Sequence, residues 1–391
     1  MTSRKILLTC FHAALVAVDG RRAVHLELTR RPLQGHWHLV AIGKAAAAMA
    51  QGAVDALGSQ IAGGVIVVPV DHVPSGFSPG AHGLVVRYGS HPMPDAASLA
   101  AGAAVADFVS ALEADTQMLF LVSGGASSLV EWLVPGVSLD DLQALNHWAL
   151  QSGAPIAQVN ATRRRISRLK GGGLARIAQG RRLQALMISD VPGDDPRVIG
   201  SGLLHAFLEE SAGVPEVPVR IVASLGSACR AAAVAAREQG LSSRVVRARI
   251  EGDAAELGVR FIASLARQPE GIVQVRGGES TVRLPASPGR GGRNQHLALA
   301  AALELERRAL HDAILLAAGT DGIDGASSDS GALVDSGTCQ RGRDADCDPD
   351  ASLARADSGT FLEAAGDLLH TGPTLTNVGD LVLGLRLGGH R

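Results

Sequence analysis

The sequence predicts an α/β protein: a large N-terminal domain with a doubly wound, mainly parallel sheet, followed by a smaller C-terminal α/β domain. Three observations carry that expectation. Apolar runs of strand length alternate with helical patterns from His38 to about Gln268. These runs are continuous in Val, Leu and Ile rather than alternating with polar residues, as strands covered on both faces require. After Arg267-Gln-Pro-Glu-Gly271 the alternation stops. A chain of 391 residues that is 46% apolar has enough material for two cores, and the boundary is placed at Gln268, giving domains 1–267 and 268–391.

In chain order, Lys5 to Val18 reads as an amphipathic helix. HLVAIG (38–43) is a strand feeding an alanine-rich helix. GGVIVVPV (63–70) and GLVVRYG (83–89) are strands, the second followed by a helix. QMLFLVSGG (117–125) leads through a Ser-Gly-Gly turn into a helix opening with Ser127 and Ser128. RLQALMISD (182–190), VRIVAS (219–224) and SRVVRARI (243–250) continue the pattern, with helices after the last two. Beyond residue 268, GIVQVRGGES with TVRLP reads as a hairpin. A glycine-rich loop, a helix from Asn294, the strand AILLAAG and a polar loop from Cys339 to Pro349 follow.

Composition narrows the function. A formal charge of −2 and 3% aromatic residues supply neither the field nor the stacking platforms for nucleic acid. Every long apolar run is broken by a charge, glycine or proline, and no cleavage site follows the N-terminal helix, so a cytoplasmic protein without a membrane span is expected. Cysteines 10, 229, 339 and 347 are too scattered for a disulfide framework or a zinc site.

Against this background, IGKAAAAMA places Lys44 where a helix begins, the end at which peptide dipoles already present positive charge. A cation there is unfavourable unless an anion joins it. The chain has three lysines, 5, 44 and 170, and the last two adjoin glycine. Ser123, Gly124 and Gly125 form a turn able to cradle an anion, or an ordinary βα turn. In NATRRRISRLKGGGLA (160–175), Arg163, Ser167 and Lys170 follow at helical spacings of four and three and can converge on one ligand, or form part of a solvated basic helix. SDVPGDDP (189–196) gathers Asp190, Asp194 and Asp195 after a strand, oxygen ligands suited to Mg²⁺ or to a general base, or simply an Asp-Pro-Gly turn. GGEST, GRGGRNQ, AAGTDGIDG and TGPTLTNVGD then carry Gly278, Glu279, Arg293, Asn294, Gln295, Asp321, Thr374 and Asn377 on glycine-dense turns that fit nucleotide phosphates.

Other patterns fail on their context. Gly76-Phe-Ser-Pro-Gly80 lacks the following helix of a hydrolase elbow. Asp344, Asp346 and Asp348 lack the glycine and glutamate of an EF-hand. No Walker P-loop is present, and GRGGRN lacks the third glycine of a dinucleotide fingerprint.

Together with SHPMPDAASLAAG (90–102), these segments in their order resemble the class II glycerate kinases, which carry a C-terminal MOFRL domain and an older association with the name hydroxypyruvate reductase. The resemblance implies ATP- and Mg²⁺-dependent phosphorylation of D-glycerate at its 2-hydroxyl, giving 2-phosphoglycerate in a cleft between two domains. It implies catalytic roles for Lys44 and Arg293, and substrate contacts from Ser123, Gly124, Gly125, Arg163, Ser167 and Lys170. It further implies nucleotide contacts from Gly278, Glu279, Asn294, Gln295, Asp321, Thr374 and Asn377, metal or base roles for Asp190, Asp194 and Asp195, and a homodimer. Two alternatives are an NAD(P)-dependent hydroxypyruvate reductase, against which the missing fingerprint counts, and a non-catalytic sensor of sugar acids or phosphate, against which Lys44 and Arg293 count.

Overall fold

The computed structural model describes residues 2–152 and 156–387. The chain divides into two compact units, one of residues 18–224 with 375–377, the other of residues 1–17, 225–374 and 378–391.

The first unit holds a six-stranded sheet of β1 (Trp37–Ile42), β2 (Ile61–Val68), β3 (Leu84–Tyr88), β4 (Gln117–Val122), β5 (Arg182–Ser189) and β6 (Val219–Ser224). Every neighbouring pair is parallel, in the order β3-β2-β1-β4-β5-β6. This is the order of doubly wound dinucleotide-binding sheets, which reverse direction between the first and fourth strands and bind ligands beyond the strand ends at that point. The continuous apolar runs are explained by burial: Val40, Ile42, Phe120, Val122 and Met187 face a core completed by Val105, Leu129, Leu169 and Leu174.

Around the sheet, local sequence sets the helices. Ala46–Leu57 is an alanine-rich helix against which the helix Gly20–Arg30 packs. The approach is close enough that a Cβ on Gly52 would lie 2.2 Å from the Arg21 carbonyl oxygen. The helix Ala96–Ala111 opens with a capping box in which Asp95 accepts from the amides of Ala97 and Ser98.

The second unit contains β7 (Ser242–Val245), β8 (Ile272–Gly278), β9 (Ala313–Gly319), β10 (Gly331–Asp335), β11 (Leu368–Leu369) and β12 (Asp380–Arg386), in the order β11-β10-β9-β12-β8-β7. All pairs are antiparallel except β7 with β8. The helices Ala254–Leu265 and Arg293–Arg307 pack on one another, with Phe261, Leu297, Ala301 and Phe361 in the core they share with the sheet.

The class expected from sequence is therefore present, while several boundaries move. The chain enters the second unit at Leu225, not Gln268, because the helix Leu225–Glu238 packs on β7 and β8. The N-terminal helix Ser3–Val18 lies largely in that unit too: Arg4 pairs with Asp335 at 3.2 Å and Asp367 at 3.0 Å. TVRLP forms no hairpin partner for β8, whose neighbours are β12 and β7. Residues Thr338–Asp344 are helical where a polar loop is expected. The strands β10 to β12 have no counterpart among the predicted runs. Among the described residues, no helix is long and apolar enough to cross a membrane.

Candidate active site

The reversal point of the parallel sheet brings together the turns after β1 and β4. Residues Ile42 and Val122 are partners at the strand ends, so Gly43 and Ser123 leave the sheet side by side. Three backbone bonds stitch the turns: Ser123 N–H to the Ile42 carbonyl at 3.0 Å, Lys44 N–H to the Gly124 carbonyl at 2.9 Å, and Gly43 N–H to the Val67 carbonyl at 3.1 Å. The buried Ser123 hydroxyl accepts the Ala45 amide at 3.0 Å, supplying the cap that Ala45 itself cannot give to the helix Ala46–Leu57. Gly43 must be glycine, with φ +133° and a would-be Cβ only 2.2 Å from Ser123 Oγ.

The two glycines after Ser123 have different neighbours. A Cβ on Gly124 would meet Asp190 Oδ2 at 2.3 Å and Asn377 Nδ2 at 3.4 Å. Gly125 is left-handed at φ +84°, and its Cβ would meet His91 Cδ2 at 3.1 Å and Lys44 Cγ at 3.2 Å. One small surface at the C-terminal ends of β1, β4 and β5 thus carries two bare glycines bordered by a lysine, a histidine, an aspartate and an asparagine. Of the residues singled out in the sequence, Lys44, Ser123, Gly124, Gly125 and Asp190 come together here. His91 is an addition legible only as part of SHPMPDAASLAAG, and Asn377 joins this group rather than the mixed-sheet unit that contains its chain neighbours. The helix after Gly125, Ala126–Leu129, is one turn long, and Ser127 bonds Ser201 at 2.7 Å, so a strong helix dipole does not contribute.

Elsewhere the expected ligand sites are filled by the chain itself. The helix Ile156–Ile166 ends before Ser167, which bridges to Leu133, so the helical face assumed for Arg163, Ser167 and Lys170 does not extend through all three. They converge nevertheless, on Glu131: Ser167 Oγ donates to one of its carboxylate oxygens and Lys170 Nζ pairs with the other. The Lys170 and Glu131 side chains are each 1% exposed. Arg163, pulled below its ordinary pKa by burial, donates to Asn146. Burial likewise pulls Lys170 down, against the opposing pull of the Glu131 charge.

The aspartates do not form a triad. Asp195 accepts three bonds of 2.6–3.1 Å from the Arg197 guanidinium, which holds its carboxyl below the usual range. Asp194 ends the 3₁₀ turn Pro192–Asp194, which Asp195 caps, at φ +54°. Among the described residues no three carboxylate, histidine or cysteine side chains are grouped to hold a metal.

In the mixed-sheet unit, Arg293 opens the helix Arg293–Arg307 and is held by Asp380 at 2.6 and 3.1 Å and by Glu279 at 3.1 Å. Burial opposes its charge, but these carboxylates keep it above its ordinary pKa. Asn294 and Gln295, expected at nucleotide phosphates, are buried and give their backbone amides to Asp324, at 3.0 and 2.7 Å. Burial pushes the Asp324 carboxyl up to about 7 despite those bonds. Gly278 lies against Ile250, where a Cβ would meet the Ile250 carbonyl oxygen at 2.2 Å. Thr374 Oγ1 donates to the Thr320 carbonyl at 2.5 Å, and Asp321 accepts the Ile323 amide at 3.3 Å.

Comparisons with known proteins agree with this organisation. The model of a family described as a domain of unknown function (DUF4147) matches residues 6–214, and that of the MOFRL family matches residues 272–380. The D-glycerate 2-kinase of Thermotoga maritima is 33% identical over 98% of both chains. A protein of Agrobacterium vitis, provisionally named a hydroxypyruvate reductase, is 37% identical over 97% of this chain and 94% of its own. A crystal structure of glycerate kinase from Thermotoga maritima superposes with a TM-score of 0.87 at 31% identity, covering 98% of this chain and 99% of that one. Matched along nearly its whole length in sequence and in fold, the chain belongs to the class II glycerate kinase family.

Proposed function

We propose that the chain transfers the γ-phosphoryl group of ATP to the 2-hydroxyl of D-glycerate, giving 2-phosphoglycerate and ADP. The observation that carries this reading is the surface at the β1–β4 reversal, where Lys44 lies beside Gly125 and Asp190 beside Gly124. Phosphoryl transfer spreads negative charge over the equatorial oxygens of the moving group, and catalysis is mostly positioning and electrostatic stabilisation. Lys44 supplies that charge and the bare glycines admit phosphate or carboxylate oxygens against the backbone. Arg293, fixed by Asp380 and Glu279, is the second cation assigned to transfer.

Of the nucleotide-binding candidates, Glu279, Asp321 and Thr374 keep that assignment. Asn294 and Gln295 act instead through Asp324, shaping the start of the Arg293 helix. Mg²⁺ commonly binds through one or two carboxylates together with substrate phosphates. Asp190 fits that mode, and a cage built from protein ligands alone does not fit the described residues. The bound ion would neutralise phosphate charge. The enzyme is further proposed to act in the cytoplasm as a homodimer, which light scattering on the purified chain checks.

The test is an assay with ATP, Mg²⁺ and D-glycerate in which product is detected by enolase alone. Signal without phosphoglycerate mutase identifies 2-phosphoglycerate; signal only with the mutase identifies 3-phosphoglycerate and overturns the assigned position. A second reading, NAD(P)-dependent hydroxypyruvate reduction, is favoured by the strand order of the parallel sheet. Its first βα turn, Gly43-Lys44-Ala45-Ala46, lacks the glycine fingerprint. Hydroxypyruvate-dependent oxidation of NADH by the purified protein would restore this alternative.

A further inference from the structure

A second cavity of interest lies in the parallel-sheet unit, rich in arginine. Of about 590 Å³, it is lined by Arg164, Arg165, Arg168, Lys170 and Arg176, with Glu209 and Glu210 also on its wall. None of the residues around the β1–β4 reversal lines it.

The charges on this wall do not cancel. Lys170 is matched by Glu131. Arg164 is matched by Glu210, at 2.7 and 3.2 Å. Arg176 gives its donors to the carbonyl oxygens of Gly171, Glu210 and Ala212 and meets no carboxylate. Arg168 stacks over Trp132, 3.5 Å from the ring centroid. Among the described residues, neither Arg168 nor the exposed Arg165 has an ion-pair partner. Three guanidinium groups are therefore left against the single carboxylate of Glu209, in a chain whose formal charge is −2.

Stacking and carbonyl bonds orient Arg168 and Arg176 without neutralising them, and planar guanidinium forks match phosphate oxygens in pairs. The volume falls in the range of small-molecule sites. We infer that this cavity binds a phosphorylated small molecule of about sugar-phosphate size, separately from the substrates handled at Lys44.

Calorimetric titration with inorganic pyrophosphate tests the site by equilibrium binding, independently of whether the kinase assay succeeds. The Lys44→Ala protein is used so that the β1–β4 reversal contributes little. It is expected to bind pyrophosphate saturably, while Lys44→Ala carrying Arg165→Ala and Arg168→Ala binds at least tenfold more weakly. Binding in Lys44→Ala should also change the emission of Trp132, a change that Trp132→Phe removes. Should the combined variant fail to fold, Arg165→Ala alone, at an exposed position, is expected to weaken binding about threefold or more. Unchanged affinity on removing these arginines overturns the proposal, as does heat matched by chloride at equal ionic strength.

Discussion

Two corners of the parallel-sheet unit share the same ingredients and use them differently. At the β1–β4 reversal, Lys44 follows a glycine and passes beside Gly125. At the other corner, Lys170 precedes three glycines and ends on Glu131. Both are lysines flanked by glycine, and both are placed to meet negative charge. What separates them is access to solvent. Lys170 and Glu131 are sealed from solvent, so their partnership is permanent and structural, whereas Lys44 sits half-buried at a strand-end surface bordered by Asp190, His91 and Asn377. A glycine-flanked cation in a sequence therefore indicates an anion, without saying whether the anion is a ligand or part of the chain.

The largest expected effect comes from unbalancing the sealed corner. Lys170→Met leaves Glu131 charged and buried without its partner, and urea denaturation should show a loss of about 3–5 kcal/mol. Adding Glu131→Met to that variant should recover most of it. Persistent full destabilisation in the double variant would mean that packing, not charge, is what Lys170 supplies.

At the open corner the same kind of truncation should cost less stability and remove catalysis. Lys44→Ala is expected to lower kcat by about a hundredfold or more, the scale of losing one transition-state donor, with a smaller loss of stability than Lys170→Met. Equal loss of stability at both lysines would erase the distinction between them. Ser123→Ala probes the join beneath the open corner. It strands the Ala45 amide in a buried position and should cost about 1–3 kcal/mol, with a smaller loss of turnover than Lys44→Ala.

Asp324 extends the comparison to the second unit, where the helix opening at Arg293 also meets an internal carboxylate. Its folded pKa of about 7 lies above the ordinary 3.8, so the folded chain binds more protons between those values. The associated stability is present at low pH and is lost as pH rises through about 7. Burial lowers the pKa values of His38, His205 and His296 and works in the opposite sense, so the difference between wild type and Asp324→Asn isolates the aspartate. Melting temperatures from pH 5 to 8 should fall with pH more steeply in wild type than in the variant; parallel curves would refute the shift.

Much of this arrangement is legible in sequence for definite reasons. The four central parallel strands announce themselves because burial on both faces demands unbroken apolar runs, and the edge strands β3 and β6 by their place in the strand-helix alternation. Lys44 stands out because it conflicts with local preference, and the Ser123–Gly125 turn because a buried strand runs through it into a helix. The partners that decide the fate of a cation are harder to read. Glu131, Asp324 and Asp380 are single acids far along the chain from Lys170, Asn294 and Arg293, and no spacing rule links them. The boundary at Leu225 is hidden because the β-strand and helix grammar continues across it while the sheet being built changes. Asp195 looks like a metal ligand until Arg197, two residues away, is seen to occupy it.

The interleaving of the two units has a consequence for synthesis. The helix Ser3–Val18 leaves the ribosome well before Leu225, yet most of it belongs with chain that begins there. At about 5–20 residues per second that interval is roughly 10–40 seconds. Its buried face, which includes Leu7, Cys10 and Phe11, must wait that long for its native neighbours. Asn377 reaches the Gly124 turn only after the intervening chain has been made. A nascent parallel sheet can thus form early, but the surface at its β1–β4 reversal is completed by a segment made long after its last strand, so chains interrupted before that point should be unfinished there.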